Sequence, residues 1–127
     1  MSLLAHTVRC AAALALTAAL CLAQGVELKR GSVVLTGSDA NCSHPAVVSF
    51  AKVRAATEEW QQIQSEGVRE GSARYKILMN KMMQRIRNAA RASAGDAGID
   101  MVVRKGDIAD DRGLTVEDIT DEVIANL

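Results

Sequence analysis

The chain has 127 residues, with 15 Lys and Arg against 15 Asp and Glu and so no formal net charge. That length suits one domain of ordinary size. A single Trp, Tyr and Phe leave too few rings for the stacking platforms that hold single-stranded nucleic acid, and the apolar share rests instead on Ala, Val, Ile, Leu and Met, which suits helices packed through thin interfaces.

Residues Met1 to Arg9 carry one positive charge, Arg9, and Cys10 to Leu22 are almost entirely Ala, Leu and Cys. This run is too short to span a bilayer as a helix. A basic start, a short apolar run and small residues after it predict a cleavable secretory signal over 1–23, with Gln24 as the first mature residue. Cleavage after Gly25 is one alternative. A lipid anchor at Cys21 is another, and Leu20 argues against it because that position normally takes a small residue. The predicted mature chain has 104 residues and a net charge of −1. Its charge is split. Residues 68–91 hold seven cations and Glu70, a net +6, whereas residues 96–127 hold nine acids against Arg104, Lys105 and Arg112, a net −6. Such a split says more about partners than the total does. Cys42 is the one cysteine left after cleavage, so the fold is not a disulfide scaffold. It reads as a tolerated loop thiol, with an intermolecular disulfide as the alternative.

Residues 24–45 are punctuated by Gly31, Gly37, Ser38, Asp39, Asn41, Ser43 and Pro45 and read as an extended or partly disordered leader, with a short strand at Ser32–Thr36 as an option. Ala46–Phe50 follows a proline and is β-branched and aromatic, which predicts a strand over 46–50. Val53, Ala56, Trp60, Ile63 and Gly67 then step by three and four, the stripe of a helix over 51–66. Thr57 before Glu58 and Glu59 reads as an N-cap where the regular helix begins. Gly67 and Gly71 mark a reversal, and Ser72 caps a second helix over 72–94 with the stripe Tyr75, Met79, Met82, Ile86, Ala89 and Ser93. Gly95 and Gly98 end it. Two such helices on a short loop form an antiparallel, coiled-coil-like hairpin arm. Ile99–Val103 reads as a strand over 99–103, Gly106–Gly113 as an acidic loop, and 118–126 as a short C-terminal helix with Asp118 and Asp121 as a capping box. The predicted fold is α+β and mostly α: a helical hairpin on a small β body, associating through its strands.

Several segments resemble the Skp/OmpH family of periplasmic chaperones. They are Ala46-Val47-Val48-Ser49-Phe50, Lys52-Val53, the helical hairpin, Gly98-Ile99-Asp100-Met101-Val102-Val103, and Asp118-Ile119-Thr120-Asp121-Glu122-Val123-Ile124-Ala125-Asn126-Leu127. The resemblance covers about residues 46–127. It implies a periplasmic homotrimer in which strands build a β body and helical arms hold unfolded outer-membrane proteins without ATP or cofactor. The arm here is shorter than the family's usual arms, and residues 24–45 form a longer leader. An envelope adaptor on the same oligomeric body is the alternative function.

The client-binding candidates are Arg69, Arg74, Lys76, Lys81, Met83, Arg85, Arg87 and Arg91. Cationic arms attract acidic clients or an anionic membrane surface; a solvated helix face is the plainer reading. Met79 and Met82 read as hairpin core, and Met83 as an adaptable contact. The β-body and oligomer candidates are Val47, Val48, Phe50, Met101, Val102 and Val103. Catalysis and metal binding are not expected. His44 is the one mature histidine, no phosphate loop or nucleophile elbow occurs, and Asp107, Asp110 and Asp111 lack the spacing of a calcium loop.

Overall fold

Alternating side chains divide the central strands between two cores. The computed structural model describes residues 25–127, so the predicted signal peptide and Cys21 lie outside the described residues. The elements are β1 (Glu27–Leu28), β2 (Val34–Gly37), β3 (Pro45–Val48), α1 (Phe50–Ala55), α2 (Glu58–Glu66), α3 (Ala73–Ala97), β4 (Met101–Arg104), β5 (Ile108–Asp110), β6 (Glu117–Asp118) and α4 (Thr120–Ala125). The fold is α+β. Four strands form one sheet in the order β2-β4-β3-β6, and β1 pairs with β5 in a two-stranded ribbon. β3 and β4 run parallel, with Ala46 opposite Val102 and Val47 opposite Val103. The helices α1, α2 and α3 connect them, because parallel neighbours need a long crossover.

On one face of the sheet Leu35, Ala46, Val48 and Val102 join Val53, Met82, Ile86, Ala89, Ala90, Ala94, Ile119 and Val123 in the main core. On the other, Met101 and Val103 pack with Val26 and Cys42, flanked by Leu28, Val34, Val47 and Ile108. The layers are therefore helices, sheet and ribbon. A strand buried on both faces reads as a continuous apolar run, which is what Met101-Val102-Val103 is.

Residues 25–45 depart from the expected leader. They supply β1 and β2, with Val26, Leu35 and Cys42 almost fully buried. Their many turn residues serve tight connections between short strands. At Gly37 the chain adopts φ +80°, and a Cβ there would meet the Asp100 carbonyl oxygen at 2.0 Å. The expected acidic loop likewise contains β5, which pairs with β1 through Leu28 and Ile108.

The helix expected over 51–66 is two helices. The Thr57 hydroxyl donates to the Arg54 carbonyl at 2.6 Å and accepts from the Trp60 N–H at 3.3 Å. It thereby ends α1 and caps α2. Phe50 belongs to α1 rather than to a strand. Gly67 closes α2 in the left-handed conformation, the Ser72 hydroxyl accepts from the Tyr75 N–H at 3.2 Å, and Gly98 ends α3. α3 runs past Gly95 because one glycine costs a helix only about 1 kcal/mol. Its buried stripe is Leu78, Met82, Ile86, Ala89, Ala90, Ser93 and Ala94, which replaces Tyr75 and Met79 by Leu78. Ile119, not Asp118, is the N-cap of α4, and it makes no side-chain cap. Asp118 ends β6 and accepts from the Thr120 N–H at 3.0 Å, so the capping box with Asp121 is not formed.

The β-body candidates pack inside one chain. Val48, Met101, Val102 and Val103 are fully enclosed within a single chain, and β4 has a strand on each side. These four side chains are core of the single chain. Val47 and Phe50 are half-buried against the two cores.

Candidate functional site

Residues 71–95 contain no Asp or Glu. Because one stripe of α3 is committed to the core, the opposite stripe must carry the polar residues of that stretch to solvent. Lys76, Asn80, Lys81, Gln84, Arg87, Asn88 and Arg91 are all exposed along it. Arg87 and Arg91 are four residues apart and neighbours on the helix surface, as are Asn80, Gln84 and Asn88 in turn. Two open clefts run beside them. One, of about 470 Å³, is lined by Glu59, Lys81, Gln84, Arg85, Asn88 and Asn126. The other, of about 480 Å³, is lined by Asn80, Met83, Gln84, Arg87, Asn88 and Arg91. Gln84 and Asn88 line both.

The eight candidate residues fall into two groups. Arg85 is tied down: its Nε lies 3.0 Å from both Glu59 carboxylate oxygens and its Nη2 3.0 Å from Oε1. Arg74 pairs with Glu66. These two fasten α2 to α3. Met83 is half-buried at the edge of the main core and presents only part of its side chain to the second cleft. Arg69, Lys76, Arg87 and Arg91 have no ion-pair partner among the described residues. Lys81 acts on Glu59 at longer range. The amides of Asn80, Gln84 and Asn88 were not among the candidates. Their four-residue spacing in the acid-free stretch was the available signal.

Burial pushes the Glu59 carboxyl up, and the Arg85 guanidinium, a backbone N–H and Lys81 more than offset it, so the net direction is down. A depressed folded-state pKa contributes stability above the ordinary Glu value of about 4.3 and loses it as pH falls through the folded value. Arg85→Gln should therefore lower the denaturation midpoint at neutral pH and flatten the acid limb of the stability curve. Denaturant titrations from neutral pH down to about pH 3 check this.

A second polar cluster lies where β3 and β4 begin. Asp100 accepts from the Cys42 thiol at 3.0 Å, the Ser43 N–H at 2.8 Å, the Ser43 hydroxyl at 3.0 Å and the His44 N–H at 3.0 Å. The His44 Nδ1 lies 3.1 Å from the Ser43 oxygen. The carboxylate holds the serine and the backbone rather than the imidazole, so the three groups do not form an acyl-transfer relay. Burial, together with Asp100, pushes the Cys42 thiol up to about 12. Cys42 lies in the loop between β2 and β3, as expected, with its side chain buried in the second core. An alkylating reagent at neutral pH should leave it unlabelled in the native protein and label it after denaturation, as mass mapping of Cys42 would show.

The acidic residues form no metal cage. Asp107 holds the Val33 N–H at 2.8 Å and the Arg104 guanidinium at 3.0 Å, Asp110 holds the Arg112 N–H, and Asp111 holds the Gly113 N–H. Among the described residues no three His, Cys, Asp or Glu side chains converge for a metal, and no helix is long and apolar enough to cross a membrane. No family model, curated protein or solved structure matches the chain.

Proposed function

We propose that this chain is a short-armed periplasmic holdase of the Skp/OmpH type, exported behind residues 1–23 and working as a homotrimer without ATP or cofactor. In this reading α2 and the first turns of α3 form the helical arm, and the client lies along the outer face of α3. The observation that carries it is the row of exposed, unpaired cations and amides on α3, in a stretch, 71–95, that holds no acid. Cations draw in carboxylates, and amides both donate to and accept from the peptide groups of an extended chain. Each exposed pair contributes less than about 1 kcal/mol. Grip on a client is then multivalent and loose, as a holdase requires for release without an energy source.

The adaptor reading has one observation in its favour. From Met82 to Ala94 the inward stripe of α3 belongs to the main core with the sheet, which leaves a short arm and little enclosed volume. Light scattering of an unfolded β-barrel protein diluted out of urea separates the two. A holdase suppresses its aggregation at near-stoichiometric amounts, and an adaptor leaves it unchanged. Substituting Lys76, Lys81, Arg87 and Arg91 together by Gln should abolish most of the suppression while leaving the circular dichroism spectrum intact. Undiminished suppression would remove the α3 face from the mechanism.

A further inference from the structure

The side-chain amides of Asn80, Gln84 and Asn88 make no hydrogen bond to any described residue, whereas Gln61, Gln62 and Asn126 each donate to one. The three stand four residues apart on α3 and are exposed, so they form one row along the helix. Gln84 and Asn88 line both clefts and are therefore the wall between them. Asn80 continues their row. Lys81 and Arg85 lie in the cleft on one side, and Met83, Arg87 and Arg91 in the cleft on the other. A helix rises about 1.5 Å per residue, so the rungs of this row repeat about every 6 Å. An extended chain rises about 3.3 Å per residue, and each of its edges presents an N–H and a C=O from every second residue, about every 6.6 Å. A primary amide carries an acceptor oxygen and donor N–H groups, the complement of that pair. The two repeats differ by roughly 0.6 Å per rung, which rotatable side chains absorb over three rungs.

We infer that the α3 face takes its client as one extended segment, laid edge-on along the row Asn80, Gln84 and Asn88. Each amide then accepts from the N–H and donates to the C=O of alternate client residues, over a span of roughly five residues. Side chains of an extended chain alternate between two faces. Edge-on binding therefore sends one set into the cleft with Lys81 and the other into the cleft with Met83, Arg87 and Arg91. In the first cleft Glu59 is held by Arg85, which leaves Lys81 for a client carboxylate; Arg87 and Arg91 serve the same purpose in the second. Charge holds the segment to the face, and the amides fix its register. The register is independent of client sequence, since every non-proline residue offers the same two backbone groups. A helical segment pairs those groups internally and is not held in this way. The inference rests on the client-binding reading above and adds that the client is recognised in a strand-like form.

The test is an NMR titration of the isotope-labelled native protein with two peptides of alternating Val and Glu, each about ten residues long. Both carry three N-methyl groups, on every second residue in one and on three consecutive central residues in the other, so charge and composition are identical. The first peptide keeps one edge intact; the second has no edge with three successive N–H groups. The first should bind as the unmethylated peptide does. It should shift the side-chain NH2 signals of Asn80, Gln84 and Asn88, assigned through single alanine variants, and leave those of Gln61 and Gln62 in place. The second should bind at least about five-fold more weakly, for the loss of one or more hydrogen-bonded rungs. Asn80→Ala with Gln84→Ala and Asn88→Ala, which keeps every cation, should bind both peptides with that weaker affinity. The comparison of peptides on the native protein stands even where this variant fails to fold. Equal affinity for the two methylated peptides, or binding that leaves the three NH2 signals unmoved, would overturn the edge-on register while leaving a client surface on α3. Absence of peptide binding would also overturn the register, and titration with an unfolded β-barrel protein then decides whether the client reading falls with it.

Discussion

Replacing Gly37 by alanine should cost roughly 3 kcal/mol or more and leave the protein close to unfolding at room temperature. Two effects combine. The backbone there has φ +80°, which an L residue adopts at a cost of about 1–2 kcal/mol. The added methyl would also lie 2.0 Å from the Asp100 carbonyl oxygen and 2.9 Å from the Met101 Cα. Both obstacles are backbone, so no side-chain rotation relieves them. The end of β2 must move off β4, and this disturbs Asp100, on which the Cys42–His44 turn depends. Urea denaturation measures the loss. A change below about 0.5 kcal/mol would mean that β2 does not close against β4 as described.

Truncating Ile86 to alanine should cost about 2–5 kcal/mol. The side chain is fully buried in the cluster that joins α3 to the sheet, with Val48, Val102 and Val123 among its members. Removing three carbons there leaves a cavity that a sheet, held by its ladder, cannot collapse to fill. The consequence reaches the candidate site. Arg87 and Asn88 follow Ile86 directly, so loosening this seat also loosens the α3 face. Chemical denaturation should show the reduced stability, and hydrogen exchange should show faster opening of α3 amides. A loss below about 1 kcal/mol would contradict the burial of this helix on the sheet.

The sequence was legible where a single element explains its own residues. The caps at Thr57 and Ser72, the stop at Gly98 and the run Met101–Val103 are local signals, and the structure places elements there. The ribbon was not legible. β1 and β5 have two and three residues, too few for alternation to register, and Val26 and Cys42 become core only when Met101 and Val103 arrive from about sixty or more residues away. The same limit applies to charge. Arg85 looked like its neighbours in the basic run. Its separation of 26 residues from Glu59 made it a fastening between two helices rather than an exposed cation. Conversely, Asn80, Gln84 and Asn88 carry no charge and so did not stand out in a count of charges, although their spacing already put them on one face.

The proposed holdase activity requires the outer face of α3 to hold non-native chains. Fluorescence anisotropy of a labelled, urea-unfolded β-barrel protein, titrated with the native protein and with the variant in which Lys76, Lys81, Arg87 and Arg91 are Gln, tests it directly. The predicted result is saturable binding to the native protein that weakens at least about ten-fold between about 50 and about 500 mM salt, and little binding to the variant at either salt. Absence of binding to the native protein, or equal and salt-insensitive binding to both, would contradict it.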